Sequence, residues 1–63
     1  MDTGRTIAIL ANILRDSGDL DGARPLYERA LAINETQLGP NHPDTARSRQ
    51  GLAAVVTELE DHS

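Results

Sequence analysis

The chain has 63 residues, a formal net charge of −4, no cysteine, no lysine and a single aromatic residue, Tyr27. That length holds one small domain, which buries only about 60% of the surface its unfolded chain exposes. Disulfides and thiolate metal sites are excluded, and six arginines against ten carboxylates do not make the basic face that nucleic acid or an anionic membrane requires.

The first predicted element is a helix over about 3–17. At 100° per residue, Ile7, Leu10, Ala11, Ile13 and Leu14 fall on one arc with Ile9 outside it, the broad apolar stripe expected of a core-facing helix. The run from Ile7 to Leu14 is too short to span a bilayer. Its flank carries acid as well as base, with no small-residue cleavage site after it, unlike a signal peptide. A cytoplasmic protein is expected. Gly18 suits the left-handed position that closes a helix, and Asp19 the N-cap of the next. So short a connection makes the first two helices antiparallel neighbours.

The second helix is predicted over about 20–38. Asp21 lies in its first turn, the positive end of the helix dipole. Leu20, Ala23, Leu26, Tyr27, Ala30, Leu31 and Ile33 give it an apolar surface wide enough to meet helices on two sides. Pro25 removes one hydrogen bond and crowds the preceding turn, so a kink or an irregular first turn is expected there without a break. Gly39 and Pro40 stop the helix. An inter-repeat loop over 39–42 leads into a third helix over about 43–60, with Pro43 in a first-turn position that suits it. Leu52, Val55, Val56 and Leu59, widened by Ala46 and Ala53, form a narrower stripe, so this helix is expected to be buried on one side only.

The third helix repeats the first. At an offset of 42, Asp2, Thr3, Arg5, Leu10, Ala11 and Asp19 recur as Asp44, Thr45, Arg47, Leu52, Ala53 and Asp61. Thr6, Ile13, Leu14 and Asp16 recur conservatively as Ser48, Val55, Val56 and Glu58. Six identities in twenty-one aligned pairs exceed the roughly one or two that average composition gives. The predicted architecture is all-α, a helix A, a helix B and a second helix A.

This arrangement resembles the tetratricopeptide repeat. Ile7, Leu10, Ala11 and Leu14 stand at the large, leucine, small and aromatic positions of its first helix, and Ala23, Tyr27 and Ala30 at the three marked positions of its second. The terminal proline is replaced by a longer second helix and the stretch Leu-Gly-Pro-Asn-His-Pro-Asp-Thr, residues 38–45. With residues 18–31, this looks like the kinesin-light-chain variant of the family, whose period is 42 residues. The resemblance implies a right-handed helical solenoid that binds protein or peptide segments on a concave side lined by A helices. Arg49 in place of Ile7 and Glu60 in place of Gly18 fit a terminal capping helix. The expectation is therefore the C-terminal end of a longer array in a scaffold or signalling protein. The arginine-only basic set points to a GC-rich bacterial genome.

By position, the resemblance implies a concave face holding Arg5, Ala8, Asn12, Arg15 and Asp16 on the first helix and Arg47, Gln50 and Ala54 on the third. Arg5, Asn12, Arg15, Arg47 and Gln50 are the candidate peptide-binding residues. Asn12 matches an asparagine with which some family members grip a peptide carboxylate, Arg5 and Arg47 supply cations, and Ala8 stands where a lysine is usual. The same positions also suit ordinary solvated residues on a helix face. No nucleophile–base pair, phosphate-binding glycine loop or metal spacing occurs, so no enzymatic activity, cofactor or metal is expected. His42 and His62 have no ligand pattern around them, and His42 reads as a loop residue. The alternative to a binding module is self-assembly. One and a half repeats bury little, and about three are normally needed for stability. Homo-oligomers, by stacking or by exchange of the third helix, would cover what one copy leaves open.

Overall fold

The computed structural model describes residues 3–61, which form three α-helices: α1 (Thr3–Asp16), α2 (Leu20–Gln37) and α3 (Pro43–Asp61). Asp2 and His62, singled out above, lie outside the described residues. The turns follow from local chemistry. Gly18 has φ +89°, and its N–H donates to Arg15 O while that of Asp19 donates to Leu14 O, the paired bonds that close a helix through a left-handed residue. The Asp19 carboxylate accepts from the Gly22 N–H at 3.0 Å, capping α2 one residue later. Gly39, at φ +92°, ends α2 in a similar way, its N–H donating to Asn34 O. At the start of α3, His42 Nδ1 accepts the Asp44 N–H at 3.1 Å. That places His42 among the helix-start groups and fills the acceptor role usually given to a small polar residue.

Helix α2 runs unbroken from Leu20 to Gln37 with Pro25 inside it, as expected of a proline that does not break the helix. The N–H that Pro25 lacks would have met the Asp21 carbonyl, and both residues are exposed, so water can serve that carbonyl at little cost. One expectation is corrected, on α1. Leu10 and Ile13 were placed on its core face, yet they are 49% and 56% exposed, beside Ile9 at 50%. The residues that α1 buries are Gly4 and Ala11, on the flank where small side chains let α2 approach closely.

Helix α2 is the centre of the molecule. It packs against α1 on one side and α3 on the other, while α1 and α3 scarcely touch. Ala11, Ala23, Tyr27 and Val55 form the buried cluster, with Leu14, Leu20, Leu26, Leu52 and Leu59 packed around it. Tyr27 supplies most of the volume, and an aromatic residue buries about 150–250 Å². Its ring lies against α3 at Gly51, where a Cβ would stand 2.4 Å from Tyr27 Cε1. Only a residue without a side chain fits there.

The rest of the α2–α3 seam is polar. Asn34, Thr45 and Ser48 are buried. Asn34 Nδ2 donates to Ser48 Oγ at 3.0 Å and more weakly to Asp44 O at 3.4 Å. Thr45 Oγ1 donates to Gly39 O at 2.8 Å. Among the described residues no buried side-chain polar atom lacks a partner, so the seam avoids the cost of about 1–3 kcal/mol that each unmade bond would carry. No helix among them is long and apolar enough to cross a membrane.

Candidate groove between the two A helices

Because α1 and α3 both sit on α2 and barely touch each other, a groove remains between them. Its deeper part is a cavity of about 210 Å³ lined by Arg5, Ala8, Ile9 and Asn12 of α1, Tyr27 and Asn34 of α2, and Asp44 and Arg47 of α3. A shallower continuation is lined by Asn12, Arg15, Arg47, Gln50, Gly51 and Ala54. Asn12 and Arg47 border both parts, so the two are one channel.

All five residues singled out in the sequence line this channel. Arg5 and Arg47 stand on opposite walls of the deeper part, Asn12 at the junction, and Arg15 and Gln50 on opposite walls of the shallow end. The helical repeat explains it: residues at intervals of three and four share one stripe of a helix, and the offset of 42 puts matching stripes on α1 and α3. Asp16, grouped with them in the sequence, is exposed and lines neither part, because it falls about 100° round the helix from Arg15.

The floor was not anticipated. Tyr27 and Asn34 are both almost fully buried yet border the cavity. They are seven residues apart, two helical turns, so one face of α2 presents both; that spacing was the signal available in the sequence. The Tyr27 hydroxyl donates to Asn12 Oδ1. This bond engages the Asn12 Oδ1 and so fixes the amide at the edge of the channel. Its position on the edge of a channel makes it a hydrogen-bonding group of fixed orientation, the kind that sets specificity in a largely preformed site.

The electrostatics of the groove oppose those of the whole chain. Among the described residues its lining holds Arg5, Arg15 and Arg47 together with the carboxylate of Asp44, while the net charge is −4. Asp44 lies 3.7 Å from Arg47 Nη1, a loose pair one turn apart on the groove wall that contributes little to stability. What the lining offers is cationic donors on both walls, an oriented amide between them and an apolar strip at Ala8 and Ile9. Among the described residues no group of three or more His, Cys, Asp or Glu side chains is placed to hold a metal ion.

The family model described as tetratricopeptide repeat matches residues 2–63. Among curated proteins, nephrocystin-3 of Xenopus tropicalis is 41% identical over 49 residues, covering 78% of this chain and 4% of that protein. Clustered mitochondria protein of Arabidopsis thaliana is 46% identical over 44 residues, covering 70% of this chain and 3% of that protein. The chain thus spans a few hundredths of the length of the curated relatives it matches. No solved structure matches it significantly.

Proposed function

The chain belongs to the tetratricopeptide repeat family, and on that premise we propose that it is a protein-interaction module whose groove takes an extended peptide segment bearing a carboxylate. The family is one of protein- and peptide-binding modules, generally without catalysis. The observation that carries the finer reading is the charge of the channel: three arginines and an oriented Asn12 amide in a chain that is acidic overall. An arginine fork suits a carboxylate, which it meets with two parallel hydrogen bonds. In this reading Arg5 and Arg47 hold the charge, Asn12 donates beside them, and Arg15 and Gln50 contact the chain where it leaves the deep part.

The channel is short, and the relatives are many times longer than this chain. The reading therefore includes a longer array, of the kinesin-light-chain type on account of its 42-residue period, in which this groove is one stretch of a continuous concave surface.

The test is fluorescence anisotropy with a labelled Glu-rich peptide carrying a free or an amidated C-terminus, titrated with the chain and with the double variant Arg5→Glu, Arg47→Glu. Binding that weakens steeply with salt and is lost in the double variant supports the reading; equal binding by both proteins refutes it. A second reading, self-assembly, is favoured by the exposed Ile9, Leu10 and Ile13. Solution mass across a dilution series separates the two.

A further inference from the structure

The first turn of α3 sets a carboxylate beside the arginines of the groove. Asp44 lines the deeper part together with Arg5 and Arg47, and its main chain is tied on both sides of its Cα. The Asp44 N–H donates to His42 Nδ1 at 3.1 Å, and its carbonyl accepts from Asn34 Nδ2 at 3.4 Å. The same Asn34 amide meets the opposite wall. A Cβ at Gly4 would collide with Asn34 Oδ1, so α1 closes onto that amide at the residue before Arg5. One buried side chain thus spaces Arg5 on one wall from Asp44 and Arg47 on the other.

The ion pair that Asp44 makes is incomplete. Its Oδ1 lies 3.7 Å from Arg47 Nη1, close enough for attraction but beyond hydrogen-bond length. The Arg47 side chain is 79% exposed and that of Asp44 29%, so water screens the attraction and a competitor in the channel can reach the guanidinium. A carboxylate that meets a guanidinium with both oxygens makes two parallel hydrogen bonds. Such a carboxylate gains what Asp44 does not have, and its own charge repels that of Asp44 while both lie against Arg47.

We propose that Asp44 is a specificity-determining residue of the groove, an internal counter-anion that holds Arg47 loosely and is displaced by the carboxylate of the bound peptide. The exchange replaces a loose pair by a forked one. A carboxylate that the rest of its peptide places to offer both oxygens makes the exchange. An acidic segment that reaches Arg47 out of line meets the Asp44 charge without that return, and is turned away. This inference rests on the groove reading of the proposed function and adds to it the residue with which the ligand competes.

The test is an anisotropy titration at low salt of the labelled Glu-rich peptide, and of the same peptide with Gln for each Glu, against the chain and its Asp44→Asn variant. Asparagine keeps the shape of the side chain and the main-chain bonds of residue 44, and circular dichroism checks that the helices are intact. Asp44→Asn is expected to bind the Glu peptide at least about threefold tighter, the scale of a partly exposed pair, and to leave the Gln peptide unchanged. Asp44→Ser repeats the comparison with a smaller side chain and should agree. Glu58→Gln removes the same charge from an exposed position outside the groove lining, and should change the affinity far less. In an Arg47→Gln background the gain from Asp44→Asn should vanish, since there is no guanidinium to release. A gain that persists in that background, or that Glu58→Gln matches, overturns the proposal, because the effect is then general repulsion. An unaltered chain that binds the Glu peptide and an Asp44→Asn variant that binds it no tighter overturn the proposal and leave the groove reading standing. Failure of both proteins to bind overturns the groove reading and the proposal with it, so the two failures are told apart.

Discussion

The Tyr27 hydroxyl donates to Asn12 Oδ1 across the α1–α2 seam, so one side chain fills the core and sets the orientation of an amide in the groove. Packing of the core and the shape of the groove lining are thereby coupled through a single bond. Tyr27→Phe keeps the ring and removes the bond. It is expected to lower stability by about 1 kcal/mol, read by urea denaturation. It should also weaken binding of a carboxylate peptide severalfold at a temperature where the variant is fully folded.

Gly51→Ala sets two effects against each other. Alanine gains about 1 kcal/mol of helix propensity over glycine. Against it stands a Cβ 2.4 Å from a ring carbon of Tyr27, and overpacking of this kind costs about 1–3 kcal/mol. The ring is buried and held at its hydroxyl, so it has little room to yield, and a net loss of about 1–2 kcal/mol is expected. Adding Tyr27→Leu should make the alanine neutral or favourable, and a denaturation cycle over the four proteins measures the coupling.

Asn34→Ala removes the donor to Ser48 Oγ and leaves a hole in the polar seam. The expected cost is about 2–3 kcal/mol. A core of this size supplies about 3–5 kcal/mol in all, so the variant should be measurably unfolded at 25 °C by circular dichroism. Ser48→Ala should cost less, because it leaves the amide without its acceptor but opens little volume.

Ile13 and Val55 occupy equivalent positions of the repeat, yet one is exposed and the other fully buried. Val55→Ala is expected to cost about 2 kcal/mol. Ile13→Ala should change stability by no more than about 0.5 kcal/mol. Equal losses in thermal melts would mean that the α1 face is covered in solution.

Charge reversal at Arg5 and Arg47 should change the melting temperature little, since both are exposed and interactions of exposed charges, like the loose Arg47–Asp44 pair, contribute little to stability. The affinity for a Glu-rich peptide should fall at least about tenfold, and the salt dependence of what remains should be shallower.

Most of the architecture was written in short-range signals. Gly18, Asp19 and Gly39 end and start helices by their own conformational and hydrogen-bonding preferences, and the recurrence of Leu10-Ala11 as Leu52-Ala53 exposed the repeat. The stripe of arginines and amides was legible for the same reason, since it depends on helical period alone. What the period could not give was which part of a broad apolar arc finds a partner. Leu10 and Ile13 look like core because they are core-type residues, but no described element of the chain lies over them. The polar seam was missed because Asn34, Thr45 and Ser48 are surface types until their bonding partners are known. Gly51 gave no signal of its own in the sequence, yet it is where the tyrosine ring crosses α3.

The bonds from Asn34 to Ser48 and from Thr45 to Gly39 act as an axial stop. Leucine and valine side chains would let α3 slide along α2 with a gradual loss of contact, but directional donors and acceptors fail together. A slip of one turn, about 5.4 Å, would bury an amide and two hydroxyls with nothing opposite them. Helix α3 therefore has one seating depth on α2, and with it the reach between the arginines of the two walls becomes a fixed gauge. In the proposed reading, a peptide whose charge is one residue out of step with that gauge binds more weakly.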